Sequence, residues 1–103
     1  MDYAVVLVQI ADSLPQRYQF SFSDQLRRAG LSIPSNIAEG AGRKTHRDQG
    51  NFYSIAIGSL YESVNILKLL ERLGIVEGKV NLNEVFSLAE EISKMLYSLS
   101  RKS

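Results

Sequence analysis

Ser23–Arg47, SDQLRRAGLSIPSNIAEGAGRKTHR, is the stretch on which the fold turns. Leu26, Gly30, Ile33 and Ile37 recur at steps of four, three and four, which places them on one face of a helix. Pro34 interrupts that pattern. A proline there removes one backbone hydrogen bond and clashes with the carbonyl four residues back, at about 3 kcal/mol in a regular helix. The apolar spacing stays in phase across it, so the reading is a kinked helix that continues to about Ala41. Ser32 and Ser35 stand where they could satisfy the backbone groups that the proline frees. Ser23 is the expected N-cap. Gly40 and Gly42 are expected to close the helix in the left-handed conformation that glycine adopts without strain.

Working outward, three ordinary amphipathic helices flank this one. Tyr3, Leu7, Ile10 and Leu14 define a helix over about Asp2–Leu14. Val5, Val6 and Val8 widen its apolar face, which predicts burial on more than one side. Pro15 ends it. This first helix is expected to be short, a longer one having been trimmed or being absent. The aromatics Tyr18, Phe20 and Phe22 of the connector are expected to cover one end of the core. A third helix is predicted from His46 to Leu73. Its apolar residues, from Phe52 and Tyr53 to Leu70 and Leu73, occupy most of the circumference. A helix in a monomeric bundle needs one apolar stripe, so the surplus predicts a contact with another subunit. Gly74 followed by Ile75 fits a Schellman cap. After a turn to Val80, Asn81 and Glu84 resemble a capping box. Val85, Leu88, Ile92, Met95 and Leu99 then step as a heptad seam to about Ser100. Glu84, Glu90 and Glu91 lie early in that helix, and Lys94, Arg101 and Lys102 late, which suits the helix dipole. Four helices with short connections predict an all-α, up-down-up-down bundle, one domain over residues 1–103, assembling into a homo-oligomer.

Composition narrows the function. A hydrophobic content of 45% with 22% charged residues is that of a folded globular chain rather than a disordered one. The formal net charge of +1 gives no global field toward nucleic acid or membrane, so any such preference must be local. The chain has no cysteine and one histidine, His46, which excludes disulfides, thiolate catalysis and a multi-histidine metal site within one chain. Asp2 and Asp12 flank the first apolar run, and no basic segment precedes it, which argues against a signal peptide. No apolar stretch approaches the roughly 20 residues of a membrane span. A soluble cytoplasmic protein without cofactor is the expectation.

Two constellations could carry function. Arg28, Ser32, Asn36, Glu39 and Arg43 form a polar line along one side of the second helix. In an antiparallel hairpin turning about Lys44, Arg28 would pair with Glu62, while Ser32 and Asn36 would bond across toward Ser59 and Phe52. Ala56, Gly58, Ser59 and Ser63 are small enough for close approach. The reading is a structural polar seam, with an acid–base site on Glu39 or Glu62 as its weaker rival. The second constellation is the turn GAGRKTHR. It is not a phosphate-binding loop of the G-K-[ST] kind, because Arg43 follows Gly42 and a helix precedes it. Arg43, Lys44 and Arg47, with His46, nevertheless form a compact basic patch at a helix N-terminus, where amides and cations hold phosphate. Repeated around a symmetric ring, the patch becomes a basic rim. His46 is read as a surface turn residue, Tyr53 and Tyr61 as packing residues, and Tyr97 as lying at the bundle edge.

Gln25-Leu26-Arg27-Arg28-Ala29, then Ser32-Ile33-Pro34-Ser35-Asn36-Ile37-Ala38-Glu39-Gly40-x-Gly42-Arg43, resembles the signature of a bacterial four-helix-bundle family. Ala56-x-Gly58-Ser59-Leu60-x-Glu62 and Arg72-Leu73-Gly74 resemble its third helix. The family includes proteins encoded within intervening sequences of large-subunit ribosomal RNA genes, and the accessory variability proteins of diversity-generating retroelements. The resemblance implies a ring-shaped homopentamer and no catalytic residues. In the retroelement branch it also implies binding to a reverse transcriptase and to nucleic acid through a basic surface. The expected function is therefore a non-enzymatic, nucleic-acid-associated accessory protein touching phosphate through Arg27, Arg28, Arg43, Lys44 and Arg47. The alternative is a protein-interaction scaffold without nucleic-acid affinity.

Overall fold

The computed structural model describes residues 2–76 and 80–101. Among these it has four α-helices and no strand: α1 (Tyr3–Ser13), α2 (Phe22–Ala41), α3 (His46–Arg72) and α4 (Leu82–Arg101), with a 3-10 turn at Gln16–Tyr18. The central part of the turn before Asn81, and Lys102, lie outside the described residues. Contacts between neighbouring helices run in opposite senses. Asp12 meets Arg27 while Ala4 lies against Gly30. Ser32 meets Ser59 while Gly40 lies against Tyr53. Tyr61 meets Tyr97 while Lys68 lies over Phe86. The result is the expected antiparallel four-helix bundle, 43 × 24 × 19 Å in extent.

The apolar periodicity maps onto the core. Tyr3, Leu7, Ile10 and Leu14 of the first segment are all buried, and so are Leu26 and Ile33 of α2. With Leu60, Leu67 and Leu70 they form the main core, in which each fully buried leucine contributes roughly 1.5–3 kcal/mol relative to exposure. A hydroxyl chain fixes α1 on α3. Ser63 Oγ donates to the Leu60 carbonyl at 2.6 Å, so its partner at 2.7 Å, the Tyr3 hydroxyl, is the donor between them. This contact sets the 11-residue α1 beside the second half of the 27-residue α3. The other half of the bundle holds a separate small cluster of Tyr53, Ala56, Ile57 and Leu96, packed by Ile37 and Ile92.

The cap at Gly74 forms as expected. Gly74 has φ 70°, its N–H donates to the Glu71 carbonyl, and Ile75 N–H reaches the Leu70 carbonyl at 3.0 Å. Asn81 caps α4 by accepting from Glu84 N–H at 3.3 Å.

Several local expectations change. α2 begins at Phe22, and Ser23 is no cap: it is fully buried and donates to the Ala11 carbonyl at 2.8 Å, tying α2 to the end of α1. Gly42 ends α2 with right-handed geometry, and Gly40 lies inside the helix. Gly40 is needed for room instead of φ, since a Cβ there would lie 2.7 Å from the Tyr53 ring. The helix continues through Pro34, as expected, but Ser32 spends its hydroxyl on Ser59, not on the backbone that the proline frees. Phe20 points into solvent at 91% exposure, while Tyr18 and Phe22 pack on the core. The α4 core stripe is Leu82, Val85, Ala89 and Leu96; Met95 (64% exposed) and Leu99 (38%) lie outside it. Val5 and Val8 are exposed as well, so α1 is buried on one side of this subunit. No helix among the described residues is long and apolar enough to cross a membrane.

Candidate nucleic-acid interface

The α2–α3 turn is a short stapled corner. Gly42 N–H donates to the Ala38 and Glu39 carbonyls, and Arg43 N–H to the Gly40 carbonyl. Thr45 caps α3: its hydroxyl accepts from Asp48 N–H at 3.2 Å. Gln49 reaches back from the first turn and donates to the Arg43 carbonyl at 3.1 Å, while its Oε1 lies 3.3 Å from His46 Nδ1. Thr45 followed three residues later by Asp48 is a sequence-level cap signature, and it was available to find this feature.

The corner gathers three of the five expected cations. Arg43 donates to Glu39 Oε2 at 3.0 Å, and its guanidinium stacks 4.6 Å from the centroid of the Phe52 ring. It is therefore oriented, with its charge shared with Glu39. Lys44 and Arg47 are exposed and have no ion pair among the described residues. Both sit within one turn of the α3 N-terminus, where free amides and the helix dipole favour an anion.

The other two cations are elsewhere. Arg27 grips Asp12 through Nε (3.2 Å) and Nη2 (2.8 Å), and Nη2 also donates to Gln19 Oε1 at 2.7 Å. Gln19 in turn donates to the Ala11 and Leu14 carbonyls, so Arg27 belongs to a strap closing the α1–α2 corner. Arg28 pairs with Asp24 at 3.0 Å, one turn back on its own helix, and not with Glu62. Sixteen residues of helix put Arg27 about 24 Å from Arg43 along α2.

The polar seam forms in part. Ser32 and Ser59 hydroxyls meet across the helices at 2.7 Å, as expected. Asn36 turns back on its own helix, donating to the Ser32 carbonyl (2.8 Å) and hydroxyl (3.1 Å) instead of bonding across. The Ser32–Ser59 contact fixes the hairpin register. Glu39 lies seven residues beyond it in one direction and Glu62 three in the other, about 15 Å apart along the axis. That separation is too long for two carboxylates to share one reacting bond. Among the described residues no group of acidic or histidine side chains could hold a metal ion. Tyr53 is buried, as expected of a packing residue, whereas Tyr61 stands 46% exposed on the outer side of α3.

Residues 1–98 match the family model described as 23S rRNA-intervening sequence protein. No curated protein matches the chain.

Proposed function

The chain belongs to the 23S rRNA-intervening sequence protein family, and on that premise we propose that it is a non-enzymatic accessory protein that closes into a homo-oligomeric ring, five-membered by the family resemblance, and holds nucleic-acid phosphates on one rim. The observation that carries this reading is the corner between α2 and α3. There two cations with no ion pair among the described residues, Lys44 and Arg47, flank a helix N-terminus beside an oriented Arg43. One copy is a weak anion site. Five copies around an axis make a continuous positive edge. The ring itself is supported by apolar surface that a single subunit leaves uncovered: Val5, Val8 and Leu31 on α1 and α2, and Met95 and Leu99 on α4. Two different faces docking head to tail generate a closed ring when the rotation fits.

The experiment is binding of RNA and DNA across a salt series, with Arg43→Glu, Lys44→Glu and Arg47→Glu combined. Phosphate contact gives an affinity that falls steeply with salt and a slope that flattens in the triple variant. Unchanged affinity in that variant removes the rim. No affinity in the wild type at low salt favours an interaction scaffold. A reverse transcriptase gene beside this one would add that enzyme as the partner, and a position within a ribosomal RNA gene would assign the other branch.

A further inference from the structure

One flank of α3 carries a second pattern. Arg47, Ser54, Tyr61 and Lys68 follow one another at steps of seven, and Arg72 lies one turn further. Seven residues are almost two helical turns, so these side chains stay on one side with a drift of about 20° per step. All five are exposed, and no carboxylate falls on the line. From Arg47 to Lys68 it runs about 32 Å.

α4 lies beside this line and adds to it at the same level. Tyr61 donates its hydroxyl to the Tyr97 hydroxyl at 3.0 Å, with the Ser93 hydroxyl 3.3 Å from Tyr61. The two rings stand 6.5 Å apart at 43°, and each is about 45% exposed. Their hydroxyls are tied to one another, so the rings are held at the surface with their faces partly open. A depression of about 600 Å³ lined by Lys94, Tyr97, Ser98 and Arg101 opens on one side. A second, of about 350 Å³, has Tyr61, Lys68 and Phe86 in its wall. Glu90 also lines this second depression, and it is engaged by Lys94 at 3.5 Å.

We propose that this track binds single-stranded nucleic acid, with unstacked bases resting on Tyr61 and Tyr97 and phosphates held by Arg47, Lys68 and Arg101. Aromatic faces set in a cationic groove bind single strands with little regard to sequence, because every base offers a π-face. A duplex keeps its bases stacked and cannot use them. The track rests on the nucleic-acid reading above and deepens it: it starts at the rim cation Arg47 and names the ligand as single-stranded.

The test uses fluorescence anisotropy with a labelled 20-nucleotide oligo(U), the matching oligo(dT) and a duplex of the same length. Tyr61→Leu with Tyr97→Leu should weaken single-strand binding about tenfold or more and leave the duplex unaffected. Tyr61→Phe with Tyr97→Phe keeps the rings and should stay within about threefold of wild type. If the leucine pair binds single strands as well as wild type while Arg43→Glu with Lys44→Glu weakens them, the track is wrong and the rim stands. If the wild type binds no strand at all, both fall. If the leucine pair instead breaks the oligomer on sedimentation, the face belongs to a second copy, and the proposal is overturned.

Discussion

The Tyr53 ring crowds the space where a Cβ on Gly40 would sit, 2.7 Å from that position, and the Gln49 carbonyl is 3.2 Å from it. Tyr53 is 6% exposed and cannot swing into solvent without opening the small core of Ala56, Ile57 and Leu96. Gly40→Ala should therefore destabilise the fold by about 1–3 kcal/mol, the usual cost of overpacking, despite alanine's better helix propensity. Urea denaturation measures it. Stability equal to wild type would mean that α2 and α3 separate freely at this corner.

Tyr3 and Ser63 supply the second prediction. Tyr3→Phe removes the donor but leaves Ser63 bonded to the Leu60 carbonyl, so the loss should be about 0.5–1.5 kcal/mol at pH 7. The pH dependence has a definite sign. Burial raises the Tyr3 phenol above its ordinary 10.0, with the Ser63 bond opposing. Below pH 10 both folded and unfolded chains keep the proton, and the contribution is whole. Above it the unfolded chain releases a proton that the folded chain retains, so stability falls as pH rises through the folded value. At the surface, the hydrogen bonds with Ser93 and then with Tyr97 lower Tyr61, while the bond with Tyr61 raises Tyr97. Urea midpoints at pH 8 and pH 11 should fall less for Tyr3→Phe than for wild type. An equal fall would place the alkaline loss elsewhere.

Most of the fold was legible because helical periodicity reports burial directly: Tyr3, Leu7, Ile10 and Leu14 needed no partner to be read. The misreadings came where two local solutions share one pattern. In α4 the expected seam holds through Val85, Leu88 and Ile92, which face the core, but its last two members, Met95 and Leu99, fall outside while Leu82, Ala89 and Leu96 are buried. Both stripes are apolar, and period alone does not choose between them at that end. Arg28 had Asp24 one turn away and Glu62 across a helix pair, and the local partner won because it orders fewer groups. Ser23 has the chemistry of a cap and of a buried donor alike, and only the position of Ala11 decides between them. The basic corner was readable because Arg43, Lys44 and Arg47 fall within one short turn of the sequence. The Tyr61–Tyr97 pair was not, because it joins residues 36 apart.

The exposed end of the α4 seam makes a prediction about assembly. Met95 and Leu99 are the exposed remainder of a seam that has no partner within the described residues of one subunit. Met95→Glu with Leu99→Glu should dissociate the proposed ring into subunits that keep their helical circular dichroism, because neither side chain belongs to the core. Sedimentation velocity distinguishes the states. A wild-type chain that sediments as a single well-folded subunit at high concentration would refute the ring outright.

Pro34 sits inside α2 and is exposed, so its replacement loses no packing. Pro34→Ala returns an N–H to the helix and relieves the clash with the carbonyl of residue 30, worth about 3 kcal/mol in a regular helix. Against this, the unfolded chain regains freedom worth about 0.4–1 kcal/mol. The balance predicts a variant more stable than wild type by about 2 kcal/mol, read as a higher urea midpoint with an unchanged slope. A urea midpoint at or below that of wild type would mean that α2 accommodates the proline without that clash.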